Sequence, residues 1–143
     1  MYKILIMGLP GAGKTTFASM LIDRLCKESK SFTWFNGDDI RKMYDDWDFS
    51  WEGRLRQTER ITEKANICKE NKIIAVCDYV CPTEQLRKIF NADITVWIDT
   101  IKEGRFNDTN KLFEIPINYN LRVTDYDTEK WIDQILHENF NTK

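Results

Sequence analysis

Nowhere in this 143-residue chain is there a basic block. Lys and Arg number 21 against 23 Asp and Glu, a net charge of −2, and the cations are spread along the chain. The electrostatic footprint of a dedicated nucleic-acid binder is therefore missing, and no nucleic-acid partner is expected. No apolar run approaches the ~18 residues of a membrane-spanning helix, so no membrane partner is expected either. The first residues already read as a core strand rather than a signal peptide, which points to a cytoplasmic location. Histidine is nearly absent. His137 stands alone near the end of the chain and is expected on the surface of the last helix. The four cysteines, Cys26, Cys68, Cys77 and Cys81, contain no C-x-x-C pair, so no zinc site is expected and reduced thiols are. Repeats and low-complexity segments are also lacking. What is present is 42% hydrophobic and 13% aromatic residues, enough for a packed core. The length suits one domain spanning residues 1–143.

One stretch organises the rest. Gly8-Leu9-Pro10-Gly11-Ala12-Gly13-Lys14-Thr15 fits G-x-x-x-x-G-K-[ST], the phosphate-binding loop. An apolar run at residues 2–7 precedes it and reads as a buried strand. A helical pattern through residues 16–25 follows, and strand, glycine loop and helix together are the context the motif requires. The glycines let backbone N–H groups approach phosphate oxygens, and the helix N-terminus adds partial positive charge. Lys14 can reach the β- and γ-phosphates, and the Thr15 hydroxyl can sit on Mg²⁺. ATP and Mg²⁺ are the cofactors expected, with Thr16 completing the loop.

Further along, residues 31–35 read as a second strand ending at Asn36-Gly37, and a short helix runs from about Asp38 to Tyr44. A loop with three acids and Trp47 leads to a helix over residues 51–70, with Leu55, Ile61, Ala65 and Cys68 on one face. Residues 73–78 form a continuous apolar run ending in Asp78, the pattern of a buried parallel strand. Pro82 is expected to begin a helix to about Phe90. A strand at 94–99, a charged helical or irregular segment at 101–113, a weak strand at 121–124 and a closing helix from Asp127 to about Phe140 complete the chain. Trp97 is expected in the core. Alternating strands and helices predict an α/β fold: a three-layer phosphate-loop NTPase with a mostly parallel five-stranded sheet and helices on both faces. Ligands in such sheets sit beyond the carboxyl ends of the strands, so the four exits, residues 8–15, 36–41, 78–81 and 99 onward, are expected to ring one pocket.

A regulatory GTPase is excluded. The third strand exit, Asp78-Tyr79-Val80-Cys81, lacks the glycine of D-x-x-G, and Asn110-Lys111-Leu112-Phe113 lacks the acid of N-K-x-D. A small-molecule or nucleotide kinase remains. In Asn36-Gly37-Asp38-Asp39-Ile40-Arg41 an acid faces the phosphate loop, able to accept the proton of an attacking hydroxyl or to hold Mg²⁺ through water. Asp38 is the candidate, and Asp39 is read as a helix cap. Arg41, one turn on, can face an anionic acceptor. Arg105 reads equally as a lid arginine that stabilises the transferring phosphoryl and as a solvated surface residue.

These blocks resemble the adenylylsulfate kinase family. Its G-L-S-G-[AS]-G-K-[ST]-T loop is matched by residues 8–16 and its D-G-D-N-[IV]-R exit by residues 36–41. Its G-F-S block, with an arginine four residues after the serine, is matched by Asp48-Phe49-Ser50 and Arg54. Gln57 and Arg60 lie where the family has an N-x-R-R-like helix, and Val80-Cys81-Pro82 where it has I-S-P. Asp108-Thr109-Asn110-Lys111-Leu112-Phe113 loosely matches the lid motif D-P-K-G-L-Y. The likeness covers about residues 1–115 in the family's order.

The resemblance implies transfer of the ATP γ-phosphate to the 3′-hydroxyl of adenosine 5′-phosphosulfate, a small-molecule nucleotide substrate, as a step of sulfate assimilation. It makes Lys14, Asp38 and Arg105 the catalytic candidates. Arg41 and Arg54 would hold the phosphosulfate side of the acceptor, and Phe49 would stack on its adenine unless it is ordinary core. Gln57, Val80 and Cys81 would line the acceptor pocket. Lys111 and Leu112 would close over the substrates as part of a short lid at about residues 101–115. Three positions depart from the pattern. Asn36 replaces an acid, with Asp78 available to compensate as a third metal-site candidate beside Thr15 and Asp38. Gln57 replaces an asparagine, and Cys81 replaces a serine. A kinase of another hydroxyl, on a nucleoside or a polynucleotide 5′ end, is the alternative. A nucleotide-binding module without turnover is a third reading. The oligomeric state stays open, a homodimer included.

Overall fold

The computed structural model describes residues 2–140. Five parallel strands form one sheet in the order β2-β3-β1-β4-β5. They are β1 Lys3–Met7, β2 Phe32–Asn36, β3 Ile74–Asp78, β4 Ile94–Ile98 and β5 Leu121–Val123. Six helices connect them: α1 Lys14–Lys27, α2 Gly37–Tyr44, α3 Trp51–Glu70, α4 Glu84–Phe90, α5 Asn107–Leu112 and α6 Thr128–Asn139. The sheet is wholly parallel rather than mostly so.

Strand β1 explains the layering. All five of its residues are buried, as expected of a central strand covered on both faces. Period-two alternation sends Ile4 and Ile6 to one side and Leu5 and Met7 to the other. The first pair joins Phe17, Leu21, Leu25, Ile132 and Leu136 under α1 and α6. The second pair joins Ile61, Ala65, Leu86, Phe90 and Trp97 under α3 and α4, with Trp97 in the core as expected. Because β3 and β4 flank β1, the chain leaves β1 where the strand order reverses. That switch point opens the crevice that takes ligands in doubly wound sheets.

Helices α1 and α4 each start two residues away from the sequence reading. Helix α1 begins at Lys14 itself, within the phosphate loop. Helix α4 begins at Glu84, two residues after Pro82, because the Thr83 side chain accepts from the Leu86 amide at 3.2 Å and acts as the cap. All four cysteines are free thiols, and His137 is exposed at the end of α6. No helix among the described residues is long and apolar enough to cross a membrane.

Candidate active site

A cleft of ≈ 740 Å³ opens over the carboxyl ends of β1, β2 and β3. The phosphate loop forms one wall. Gly8, Gly11 and Gly13 all have positive φ. At Gly8 a Cβ would stand 2.6 Å from the Ile98 carbonyl oxygen, so only glycine lets the loop leave β1 so close to β4. Gly13 caps α1 with no side-chain hydrogen bond, which leaves the first amides of the helix for an anion. Thr100 Oγ1 donates to the Ala12 carbonyl at 2.6 Å and fixes the loop from the β4 side. Pro10, Gly11, Gly13, Lys14, Thr15 and Thr16 line the cleft. Gly8, Leu9 and Ala12 are buried behind it as framework. Lys14 Nζ donates to the Leu9 carbonyl at 2.9 Å. Burial pushes its pKa down from 10.5 to about 8, against the opposing pull of Asp78 and Asp38, with Arg105 adding a little to the depression. The ammonium is thus poorly compensated, and an incoming phosphate would relieve it.

The β2 and β3 exits meet at Asn36 and Asp78, which are register partners. Asp78 is 2% exposed and accepts three hydrogen bonds: from Thr15 Oγ1 at 3.0 Å, from Asn36 Nδ2 at 3.0 Å and from Trp34 Nε1 at 2.6 Å. Burial raises its pKa, and these donors together with Lys14 pull it back. Asn36 also caps α2, its Oδ1 accepting from the Asp39 amide at 3.0 Å. The cap of α2 is therefore Asn36 and not Asp39. An aspartate at position 36 would set a second carboxylate beside Asp78 in place of an amide donor, so the asparagine is the residue that suits an acid at Asp78. Asp38, in the first turn of α2, reaches the cleft. At Gly37 a Cβ would meet the Tyr79 Cβ at 2.7 Å, which explains the glycine between the two acidic exits.

Arg41 of α2 and Arg54 of α3 line the same cleft. Arg41 is 6% exposed, and its Nη1 donates to the carbonyls of Asp46 and Asp48, both at 3.0 Å. Arg54, also 6% exposed, donates from Nε to the Phe49 carbonyl at 2.9 Å and from Nη2 to Thr109 Oγ1 at 3.1 Å. Among the described residues, every hydrogen bond of either guanidinium goes to a neutral oxygen. Burial depresses both pKa values, with Asp46 and Asp108 acting on them only through space. The Phe49 ring lies 4.2 Å from the Arg41 guanidinium and 5.5 Å from that of Arg54. At 49% exposure it is not a core residue, and it lines the cleft.

The floor is made of Gln57, Thr58, Tyr79, Val80 and Cys81. Gln57 Nε2 donates to the Gly37 carbonyl at 2.8 Å while its buried Oε1 has no partner among the described residues. Cys81 is fully buried with φ 46°, and burial pushes its thiol up to about 12, so it is protonated at neutral pH. Arg105, Phe106, Asp108 and Thr109 close the far side. Lys111 and Leu112 are on α5 but do not line the cleft. The residues facing it come one turn earlier. Asp99 is likewise turned away, with Arg122 Nη2 donating to it at 2.6 Å, so three of the four strand exits meet and the fourth contributes through residues 105–109. Sequence reasoning missed Trp34 and Thr109. Trp34 carried a local signal, since it shares a face with Asn36 two residues on. Thr109 carried none.

Thr15 and Asp78 suit a hard cation by donor type. No cluster of three or more His, Cys, Asp or Glu that could hold a metal ion occurs among the described residues.

Residues 1–124 match the profile of the family described as Adenylylsulphate kinase. Among curated proteins, the chain is 38% identical over 85 residues to a probable adenylyl-sulfate kinase of Aeropyrum pernix, covering 59% of this chain and 46% of that protein. It is 28% identical over 117 residues to an adenylyl-sulfate kinase of Vibrio vulnificus, covering 81% and 50%. The chain thus spans about half the length of these relatives. The fold superposes on the Mycobacterium tuberculosis APS kinase solved in complex with AMPPNP and APS, with a TM-score of 0.79 at 18% identity, covering 95% of this chain and 96% of that one. The chain belongs to the adenylylsulphate kinase family, phosphotransferases that act on an alcohol group.

Proposed function

We propose that this chain transfers the γ-phosphate of ATP to the 3′-hydroxyl of adenosine 5′-phosphosulfate, giving 3′-phosphoadenosine 5′-phosphosulfate and ADP. The observation that carries the reading is the pair Arg41 and Arg54. Two buried guanidiniums with only neutral hydrogen-bond partners face one cleft, and a buried cation without a carboxylate is held for an anion. They come from α2 and α3 rather than from the phosphate loop, so we read the anion as the acceptor's rather than ATP's. The exposed Phe49 ring between them offers a stacking surface for the acceptor's base.

ATP phosphates lie along the amides of residues 11–16, with Lys14 on the β- and γ-oxygens. Thr15, Asp78 and Asp38 would hold Mg²⁺, which would supply charge neutralisation on those oxygens. Asp38 orients the acceptor hydroxyl and takes its proton. Arg105 faces the transferring group from the far wall, and residues 101–115 act as a lid that excludes water. Catalysis is then positioning and charge stabilisation.

The test is a coupled ADP-release assay with Mg-ATP and separate acceptors: adenosine 5′-phosphosulfate, a nucleoside and a 5′-hydroxyl oligonucleotide. Stimulation by the phosphosulfate alone is expected. Stimulation by either other acceptor reassigns the substrate, and ATP binding with no turnover on any acceptor makes the chain a recognition module.

A further inference from the structure

We propose that Thr109 is a positioning residue that orients Arg54 for the acceptor's anionic group and thereby ties the segment 101–113 to acceptor binding. The inference rests on the acceptor reading of the cleft for its substrate, but its structural basis is separate. Helix α5 has six residues, and Thr109 is the one that is buried, at 5% exposure. A short helix docking on a protein body ordinarily does so through an apolar side chain. Here the inward position holds a β-branched polar residue of poor helix propensity, and its hydroxyl oxygen accepts from Arg54 Nη2 at 3.1 Å.

The neighbouring residue binds the other way. Asn110 closes the segment on Gly104, its Oδ1 accepting from the Gly104 amide at 2.8 Å and its Nδ2 donating to the Gly104 carbonyl at 3.0 Å. A Cβ on Gly104 would stand 3.1 Å from the Pro10 carbonyl oxygen of the phosphate loop. Consecutive residues of α5 therefore connect the acceptor arginine and the phosphate loop. Arg54 needs such a brace. Its Nε is fixed by the Phe49 carbonyl, but a guanidinium held at Nε alone can still swing at its far end. With Nη2 held by Thr109, Nη1 is left to meet an anion in a set direction. An acceptor anion that tightens on Arg54 also tightens Arg54 on α5, so the segment closes in response to the acceptor.

Two measurements decide this. Hydrogen exchange of the amides at residues 107–112 in the ligand-free protein reads the brace without any substrate. Thr109→Val and Arg54→Lys should each speed exchange there, the double variant should add nothing further, and Thr109→Ser should match wild type. Unchanged exchange in Thr109→Val, or full additivity in the double variant, overturns the proposal. Calorimetry then reads the consequence: Thr109→Val should weaken binding of adenosine 5′-phosphosulfate roughly 5- to 20-fold and leave Mg-ATP binding unchanged, with Thr109→Ser restoring most of the loss. Equal weakening of both ligands also overturns it. If wild type binds no adenosine 5′-phosphosulfate, the substrate assignment above fails, and the exchange cycle still decides the role of Thr109.

Discussion

Replacing Lys14 by methionine should abolish turnover and make the unliganded protein more stable. Burial holds the Lys14 ammonium down from 10.5 to about 8. At roughly 1.36 kcal/mol per pH unit, the charged form is disfavoured by about 3 kcal/mol in the folded state. Lys14 retains partial solvent exposure and donates one hydrogen bond to the Leu9 carbonyl, both of which reduce the gain. A net stabilisation of about 1–2 kcal/mol is expected at pH 7. The sign of the pH dependence follows from linkage. Between pH 8 and 10.5 the unfolded chain holds the Lys14 proton and the folded chain does not, so this lysine makes stability rise with pH through that window. Below pH 8 both states are protonated, and the full penalty is present. Urea titrations at intervals from pH 7 to 10.5 should show Lys14→Met ahead of wild type at pH 7, with the gap closing as pH rises. Mg-ATP should reverse the order at pH 7, because phosphate supplies the missing negative charge only to wild type. A variant less stable than wild type at pH 7, or a gap that stays constant with pH, refutes the reasoning.

The same ionisation predicts that wild-type affinity for Mg-ATP falls as pH rises through about 8, since phosphate binding requires protonated Lys14; calorimetry across pH 7–9.5 reads it. Asp38→Ala should lower kcat by roughly 10²–10⁴-fold and leave ATP affinity within about threefold, and a near-normal kcat would remove Asp38 from proton transfer. Phe49→Ala should raise KM for the phosphosulfate acceptor about tenfold through lost stacking while KM for ATP holds, and an equal rise in both contradicts stacking on the acceptor. Asn36→Asp should destabilise the metal-free protein by about 1–3 kcal/mol, because a carboxylate replaces the donor to Asp78, and Mg²⁺ should recover part of the loss in a thermal-shift experiment.

The fold was legible because its central strands are continuous apolar runs bounded by glycine or acid. Strands β1 and β3 are buried along their whole length, so apolar continuity and strand identity coincide. Edge strand β2 is only half-buried, so its apolar run is shorter and broken by Thr33. The helix after β3 was set too early because Pro82 and Thr83 both carry start signals. The threonine cap prevails, and the Pro82 carbonyl accepts from the Glu114 amide at 2.7 Å, a tertiary contact that local reading cannot supply. The phosphate loop and the Asn36–Arg41 exit were legible for a related reason: their chemistry is carried by backbone geometry over a few consecutive residues. The lid contacts were not. Arg54 and Thr109 are 55 positions apart, and neither has a local reason to find the other. The lid motif alone puts Lys111 and Leu112 over the substrates, whereas Arg105, Phe106, Asp108 and Thr109 line the cleft.

Asn36 shows why a departure from a family pattern is weakly informative when read alone. Taken alone, it is a lost carboxylate and an argument for lost turnover. Its register partner is Asp78, and the amide donates to that acid, caps α2 with its oxygen and lies 3.3 Å from the Thr15 hydroxyl. The carboxylate beside the phosphate loop here is Asp78 on β3, one strand in from the edge of the sheet, where Trp34 supplies a further donor. This arrangement offers the negative charge that phosphoryl transfer uses from a different side chain than the family motif's. It predicts that Asn36 and Asp78 tolerate substitution only together: Asn36→Asp combined with Asp78→Asn should recover activity that either single variant loses, and a double variant no better than the worse single would show that the two positions act independently.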